Sequence, residues 1–305
     1  MAPSRFSGRA RRTAAFAPGH VTGFFAPDVR ARDPRARGST GAGLVLELGV
    51  NAEAEWWPGV PSRITITADI PGPLPISEDV VRRLVPPRSG HVRVRLAHQM
   101  PVGQGFGMSA AGALSTALAV AGLFKIPRQR AVEVAHLAEL FGGGGLGGVA
   151  AILGGGLEYR IRAGLPPEGR VIHGPFPWPV IVGVVGGPIH SPRVLRDPRV
   201  LRRIATAAQD FPSGGRRPSP SEFLARSERF TDRVRLASPP LMRTLRRIRA
   251  EGGWAAQAMF GGSFFAVARS GVSHRRILAG LERQGIHAVE IAIRRTGAFR
   301  RRVSG

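Results

Sequence analysis

The chain has 305 residues, 43% of them hydrophobic, which is enough for one large domain or two small ones with ordinary cores. It contains no cysteine, so disulfides, thiolate metal sites and cysteine nucleophiles are excluded. The chain has 44 Lys and Arg against 20 Asp and Glu, which gives a net charge of +24. Because the arginines are spread along the chain, we favour an arginine-rich solvated surface over a nucleic-acid-binding arm as the main cause of this charge.

The first twelve residues predict a basic flexible tail. This segment lacks an apolar core, so it does not resemble a secretory signal. The longest apolar run, Ala110 to Phe124, is shorter than the ~18 residues that a membrane-spanning helix needs. We therefore expect a cytoplasmic protein without membrane contact.

The pattern of apolar residues changes its period within the first half of the chain. Alternation of apolar and polar residues predicts strands, and later runs with a helical period predict helices, the first of them almost wholly buried because it has no polar face. The predicted strands are Thr13–Pro27, Gly41–Ala54, Ser62–Ala68, His91–Ala97 and Gly155–Arg162, and the predicted helices are Ser109–Phe124 and Gln129–Phe141.

A proline-rich link, "GPFPWP" at Gly174–Pro179, predicts a domain boundary. We place an N-terminal domain at 13–178 and a C-terminal domain at 179–305. The second domain begins with the strand "VIVGVVG", continues through three helices, and closes with two apolar runs, a helix and the strand "HAVEIAIRR". Strands and helices mix without regular βαβ alternation, which predicts an α+β fold in two halves.

The segment "PVGQGFGMSAAG" places three glycines directly before the predicted buried helix. Glycines bring backbone amides close to a ligand, and the first-turn amides of a helix lack internal partners, so an oligophosphate is a suitable guest. Ser109 can cap this helix and bind a phosphate-bound magnesium ion. A tight turn with a serine cap explains the same residues equally well. The P-loop pattern is absent, since no Gly-Lys-Ser/Thr follows.

The same segment resembles the second signature of the GHMP kinase superfamily, PxGxGLGSSAA. Two more stretches resemble the first and third signatures of that family in order and spacing, "FAPGHVTGFF" at Phe16–Phe25 and "QAMFGGSFFAVA" at Gln257–Ala268. The resemblance spans nearly the whole chain. It implies an N-terminal domain like a ribosomal protein, a ferredoxin-like C-terminal domain, and an active site between them.

Within the superfamily, "APGHVTGFF", "GSTGAG" at Gly38–Gly43 and "AHLAE" at Ala135–Glu139 are most similar to the archaeal pantoate kinases. This resemblance implies transfer of the γ-phosphoryl group of ATP to the primary hydroxyl of pantoate in archaeal coenzyme A biosynthesis, with Mg²⁺ as cofactor. The oligomeric state stays open, with a homodimer among the options.

The resemblance also implies which residues form the nucleotide and metal sites. Ser109 is expected to be catalytic and to bind magnesium together with Glu139, although a solvent-facing helix carboxylate is the simpler explanation of Glu139 alone. The residues expected around ATP are Pro101, Gly103, Gln104, Gly105, Phe106, Gly107, Met108, Ser109 and Ala110.

The acceptor is expected near the first and third signatures. His20 is the second expected catalytic residue, acting through a hydrogen bond or as a cation. The expected acceptor-binding residues are His20, Ser39, Thr40, Gly261 and Gly262. Pantoate kinases are expected to carry an arginine where Thr40 stands, so the substrate carboxylate would need another partner, with Arg37 and Arg30 as candidates.

The segment "GGGGLGGVAAILGG" departs from the pattern TGLGDVxAQxxGG that is frequent in the family, because Gly148 stands where several branches carry an acid that activates the attacking hydroxyl. This departure indicates either a kinase that works without that base or a copy that has lost activity. Phosphoryl transfer depends mostly on positioning and charge neutralisation, and a base typically adds ~10²- to 10⁴-fold, so we keep the kinase hypothesis.

Two alternatives remain. One is a GHMP kinase that acts on another hydroxy acid or on an isoprenoid alcohol. The other is a catalytically impaired, basic nucleic-acid-associated paralogue; the absence of a visible stacking surface or recognition helix disfavours nucleic acid as a partner.

Overall fold

The computed structural model describes residues 10–189, 191–211, 215–269 and 271–301. Its strands are β1 (Arg11–Asp28), β2 (Gly38–Trp57), β3 (Arg63–Ala68), β4 (His91–His98), β5 (Leu157–Arg162), β6 (Arg170–Gly174), β7 (Val180–Val184), β8 (Gly253–Gln257), β9 (Ser263–Ala268), β10 (Ala288–Ile291) and β11 (Phe299–Arg301). Its helices are α1 (Pro75–Leu84), α2 (Met108–Phe124), α3 (Arg128–Gly142), α4 (Gly148–Ala151), α5 (Ser191–Arg196), α6 (Pro198–Ala208), α7 (Pro220–Val234), α8 (Pro239–Ala250) and α9 (His274–Glu282), and a short 3-10 helix spans Pro34–Ala36.

The first sheet is built around the long strand β2. Its C-terminal half pairs with β4 and its N-terminal half with β5, while β1 runs antiparallel along its other side. Strand β3 joins β4 in parallel, β6 joins β5, and β11 joins β1. The register places Thr22 of β1 opposite Gly43 of β2, and Gly43 opposite Glu158 of β5. These three strands therefore bring side chains of β1 and β5 to the same place.

Helix α2 lies in the core of the first domain. It contacts β1, β2, α1 and α3, and its 17 residues carry no charge. A helix that is apolar on every side must be covered on every side. The burial predicted for this helix is confirmed, since 14 of its 17 residues are buried.

The second sheet has the antiparallel order β10-β7-β9-β8. One face packs against α8 and α9 through Ile181, Phe264 and Leu245. The other face belongs to the same hydrophobic core as the first sheet, through Val182, Phe265 and residues of α6 and α7. The two sheets therefore share one continuous core.

The predicted domain boundary lies between the two sheets, since β6 ends at Gly174 and β7 begins at Val180. Strand β11 returns to the first sheet from the C-terminal end of the chain. Of the predicted basic tail, residues 1–9 lie outside the described residues, while Arg11 and Arg12 begin β1. Within the described residues, we find no helix that is both long and apolar enough to cross a membrane.

Candidate active site

A solvent-open cavity of about 830 Å³ lies between the two sheets. One half is formed by the glycine loop before α2, Glu139 of α3, and the second glycine-rich segment, 144–148. The other half is formed by side chains of β1, β2 and β5 with Met259 and Phe260 of the second domain, and its strand residues are His20, Thr22, Phe25, Ser39 and Arg160. Ile189 and Leu195 of the second domain complete the lining. The cavity thus has a backbone-rich half and a side-chain-rich half.

The glycine loop is held in place by both domains. The Phe106 carbonyl accepts a 2.9 Å hydrogen bond from the amide of His20, and the Gly103 carbonyl accepts one of 3.2 Å from the amide of Ile189. Gly105 has φ +77°, and a Cβ there would lie 2.5 Å from the Ala258 carbonyl oxygen. Only glycine suits this position, because both the backbone angle and the close approach exclude a side chain.

Helix α2 begins at Met108 without a side-chain cap, and Gly107 is its N-cap residue. The expectation that Ser109 caps the helix is wrong, because its hydroxyl instead donates a 2.8 Å hydrogen bond to Glu139 Oε2. The first-turn amides are therefore left for a ligand at the positive end of the helix dipole. This arrangement suits a polyphosphate.

Glu139 is completely buried beside this helix terminus. Burial raises its pKa to about 7, against the opposing effect of the hydrogen bond from Ser109. The segment after α3 wraps closely over it, since a Cβ on Gly144 would lie 2.5 Å from the carboxyl group. A buried carboxylate and a hydroxyl, both oxygen donors next to a phosphate site, fit Mg²⁺, which commonly binds one or two carboxylates together with substrate phosphates. Among the described residues, no group of three or more His, Cys, Asp or Glu side chains could hold a metal ion, so the phosphates and water would complete such a site.

The side-chain-rich half contains a buried charged cluster of His20, Glu158 and Arg160. These residues are 3%, 0% and 2% exposed. His20 Nε2 lies 2.9 Å from Glu158 Oε1, and Arg160 NH1 donates to the same oxygen. Arg160 lines the cavity, and its Nε has no hydrogen-bond partner. A buried guanidinium nitrogen without a partner is costly, so Arg160 is suited to bind a ligand that accepts hydrogen bonds.

The protonation states of this cluster follow from its surroundings. Burial lowers the pKa of His20, although the hydrogen bond and charge of Glu158 oppose this effect. Burial alone would raise the pKa of Glu158, but the charge of Arg160 and the hydrogen bond to His20 outweigh it and lower that pKa. At neutral pH the cluster is therefore a neutral imidazole, a carboxylate and a guanidinium.

Comparison with known proteins agrees with this geometry. Residues 77–156 match the family model for the GHMP kinases N terminal domain. A protein named pantoate kinase from Methanospirillum hungatei is 30% identical over 264 residues, which are 85% of this chain and 88% of that protein. This chain belongs to the GHMP kinase family.

Two further relatives of this GHMP kinase cover different shares of its length. A pantoate kinase from Thermococcus kodakarensis is 41% identical over 161 residues, 51% of this chain and 53% of that protein, so this match spans about half of the relative's length. A solved structure described as a phosphotransferase related to the CoA biosynthesis pathway has a TM-score of 0.85 at 28% identity, covering 97% of this chain and 100% of that one. The predicted α+β GHMP kinase fold in two domains is confirmed. GHMP kinases use ATP, generally with Mg²⁺.

The structure brings most of the expected site residues of this GHMP kinase to one cavity. Those that line it are His20, Ser39, Gly103, Gly105, Phe106, Gly107, Met108, Ser109, Ala110 and Glu139. Those that do not line it are Pro101, Gln104, Thr40, Gly261 and Gly262. Their expected contacts with ATP or the acceptor stay predictions.

Gln104 is buried and occupied elsewhere. Its side-chain amide donates to the Gly186 carbonyl at 3.1 Å and accepts from the Gly262 amide at 3.1 Å. Its backbone carbonyl accepts a hydrogen bond from the Ser263 hydroxyl. The glycine loop and the third signature are thus joined directly, and Gln104 contacts the second domain with both its side chain and its backbone.

Neither arginine that the sequence offered for the acceptor carboxylate lines the cavity. Arg37 donates to the carbonyls of Ala31 and Arg32, and Arg30 is also outside the cavity lining. Sequence reasoning missed Arg160 and its partner Glu158. The signal was present in "GLEYRIR", where two opposite charges stand at i and i+2 and so share one face of a predicted strand.

Gly148 lines the cavity at the start of α4. A Cβ at this position would lie 2.6 Å from the Cβ of Ala110. Ala110 therefore leaves no room for a side chain at position 148, and an acidic residue there would require α2 and α4 to separate. Among the described residues that line the cavity, Glu139 is the only acid.

Proposed function

We propose that this GHMP kinase transfers the γ-phosphoryl group of MgATP to the primary hydroxyl of pantoate, forming 4-phosphopantoate for coenzyme A synthesis. The two relatives named pantoate kinase support this acceptor, as does the CoA-pathway phosphotransferase with the same fold. The observation that carries the proposal is a single cavity lined by both an uncapped helix terminus and a buried arginine.

The nucleotide occupies the backbone-rich half. The first-turn amides of α2 and the glycine loop bind the phosphates, and Ser109 and Glu139 hold Mg²⁺, which neutralises phosphate charge when bound. Because Glu139 is buried, its negative charge needs a nearby cation. A magnesium ion that contacts both this carboxylate and the phosphates would therefore strengthen the binding of the nucleotide, and the nucleotide that of the metal.

The acceptor occupies the side-chain-rich half, where Arg160 provides the partner for the pantoate carboxylate. Its unpaired Nε lies beside Gly147, since a Cβ on that glycine would be 2.9 Å from Nε and 2.5 Å from the Ser39 hydroxyl. Ser39 and Arg160 thus border the same narrow space. A guanidinium in this position suits a charge-assisted hydrogen bond to a carboxylate. Phe25 and Phe260, which also line the cavity, provide an apolar surface for the dimethyl carbon of pantoate.

Purified protein tests the proposal by ADP release with a panel of acceptors, including pantoate, homoserine and mevalonate, and by mass measurement of the product. We expect ADP formation that depends on pantoate and a product heavier by one phosphoryl group. Ser109→Ala is expected to lower kcat at least ~10²-fold, whereas Ser115→Ala, on the same helix but outside the cavity lining, keeps it within about twofold. Turnover of another acceptor but not of pantoate would overturn the assignment and leave the family intact.

A further inference from the structure

The side chain of His20 extends from β1 over β2 to β5, and this position indicates a role in the reaction itself. His20 and Thr22 lie on β1, Gly43 lies between them and β5, and Glu158 lies on β5. A Cβ on Gly43 would come within 2.3 Å of His20 Nε2. The imidazole therefore reaches over β2 to Glu158 only because residue 43 has no side chain.

The hydrogen bonds of this ring define which nitrogen is available. Glu158 is a carboxylate with Arg160 beside it, so Nε2 carries the proton that it donates to Glu158. Nδ1 is then the acceptor nitrogen, and the Thr22 hydroxyl donates to it over 3.4 Å, a long hydrogen bond that a substrate hydroxyl would replace. Both His20 and Thr22 line the cavity. A carboxylate that fixes one nitrogen of an imidazole and leaves the other as a hydrogen-bond acceptor is the arrangement of a general base.

The rest of the cavity offers no better proton acceptor among the described residues. Glu139 is the only acid in the lining, and its oxygen accepts from Ser109 at the proposed magnesium end. Position 148 cannot accept an acid without displacing Ala110. His20 is the only imidazole in the described lining, and it belongs to the acceptor half.

We propose that His20 is the general base of the reaction and that Glu158 is its positioning residue, an inference that rests on the function proposed above. The acceptor oxygen forms a bond to the γ-phosphorus, and the bond from that phosphorus to the β,γ-bridging oxygen breaks, its electron pair leaving with ADP. The hydroxyl proton passes to His20 Nδ1, and Glu158 stabilises the imidazolium. The proton returns to solvent when the product leaves.

The charged groups around His20 fix the expected pH dependence. Glu158 raises its pKa, whereas burial and the charges of Arg160 and His173 lower it. The wild-type kcat should therefore fall at low pH as His20 becomes protonated. Removing the Glu158 charge should lower the pKa of His20 further and shift this decline to lower pH.

The test measures kcat for pantoate between pH 5 and 9, with separate binding titrations of pantoate and MgATP. His20→Gln keeps a donor toward Glu158 but lacks a base, so we expect kcat to fall ~10²- to 10⁴-fold, the decline at low pH to disappear, and pantoate affinity to change less than about threefold. Glu158→Gln should move the decline to lower pH. His287→Gln is the matched control, since His287 is exposed, lies outside the cavity lining and is not among the groups that act on the pKa of His20, and it should keep both kcat and the profile.

Retention of kcat within about fivefold in His20→Gln, or an unchanged decline at low pH, would overturn the inference while leaving the proposed function in place. If Glu158→Gln does not fold, as judged by circular dichroism, the profile of His20→Gln decides alone. A wild-type protein that binds MgATP but phosphorylates no pantoate overturns the proposed function, and this inference with it.

Discussion

Arg160 links the chemistry of the acceptor to the charge balance of the core. Its NH1 neutralises Glu158, while its Nε has no partner beside Ser39 and Gly147. Arg160 therefore neutralises Glu158 and, in the proposed function, binds the acceptor carboxylate. A variant that keeps the positive charge tests the second role separately from the first. Lysine retains a cation near Glu158 but loses the planar fork of the guanidinium.

We predict that Arg160→Lys raises the KM for pantoate about 10-fold or more and changes the KM for MgATP less than about threefold, because a hydrogen bond to a charged group is worth ~1.5–3 kcal/mol. Steady-state kinetics with each substrate varied in turn measure this effect. Arg37→Lys is the control, since Arg37 bonds only to backbone carbonyls outside the cavity, and should leave both constants unchanged. An unaltered KM for pantoate in Arg160→Lys would contradict the role of Arg160.

Glu139 gives the magnesium-free protein a distinct pH dependence. Its folded pKa is about 7, above the ordinary 4.5, so between these values the folded state binds more protons than the unfolded state. The free energy of unfolding therefore decreases as pH rises through this window, by about 3 kcal/mol in total.

We predict that Glu139→Gln is more stable than the wild type at pH 8 without magnesium, and that this difference shrinks toward pH 5, where Glu139 is protonated. Urea unfolding at both pH values, in chelator, measures the difference. The same variant should lose the stabilisation that Mg²⁺ with ATP gives the wild type. Parallel stability curves for the two proteins across pH would contradict the raised pKa of the buried Glu139.

At the scale of elements, α2 and its loop were the easiest part to predict. Three glycines followed by an uncharged run specify a buried helix with exposed first-turn amides, and the sequence placed its start within one residue. The cluster of His20, Glu158 and Arg160 was harder, because it depends on the register of β1, β2 and β5. Residues separated by 138 positions meet there, and a sequence pattern does not determine that register.

We predict that Gly105→Ala destabilises the protein by about 1–3 kcal/mol and weakens MgATP binding at least ~10-fold, because its Cβ would press on the Ala258 carbonyl and close the loop. Gly112→Ala on α2 is the control: its Cβ meets only atoms 3.7 Å away or more, and the change should raise stability by up to ~1 kcal/mol. Thermal unfolding with and without MgATP measures both. Equal effects of the two substitutions would argue against the special geometry of the loop.

At the scale of the whole molecule, the phosphate loop and the second domain are joined through Gln104. Its side chain satisfies the backbone of Gly186 and Gly262, and its carbonyl accepts from Ser263. Sequence motifs placed Gln104 with the nucleotide contacts because they show which segments lie near one another, but not which partner each side chain takes. The cavity is thus a property of both domains together.

We predict that Gln104→Ala lowers the free energy of unfolding by about 1–3 kcal/mol, because it leaves buried backbone groups without partners. It should also raise the KM for both substrates, since the loop and the third signature lose their connection. Chemical unfolding and steady-state kinetics report these effects, with the exposed Gln209→Ala as a control that should change stability by less than ~0.5 kcal/mol. A loss of stability with unchanged KM values would show that the connection is only structural.

The central claim is that the uncapped start of α2 binds the nucleotide phosphates and that the acceptor lies across the same cavity beside Arg160. A crystal structure with Mg²⁺, a non-hydrolysable ATP analogue and pantoate tests it most directly. We expect the γ-phosphate against the first-turn amides with the metal on Ser109 and Glu139, and the pantoate carboxylate at Arg160 Nε with its primary hydroxyl directed at the γ-phosphorus. A nucleotide bound elsewhere, or a loop closed over the end of α2 with no phosphate beside it, would contradict the claim.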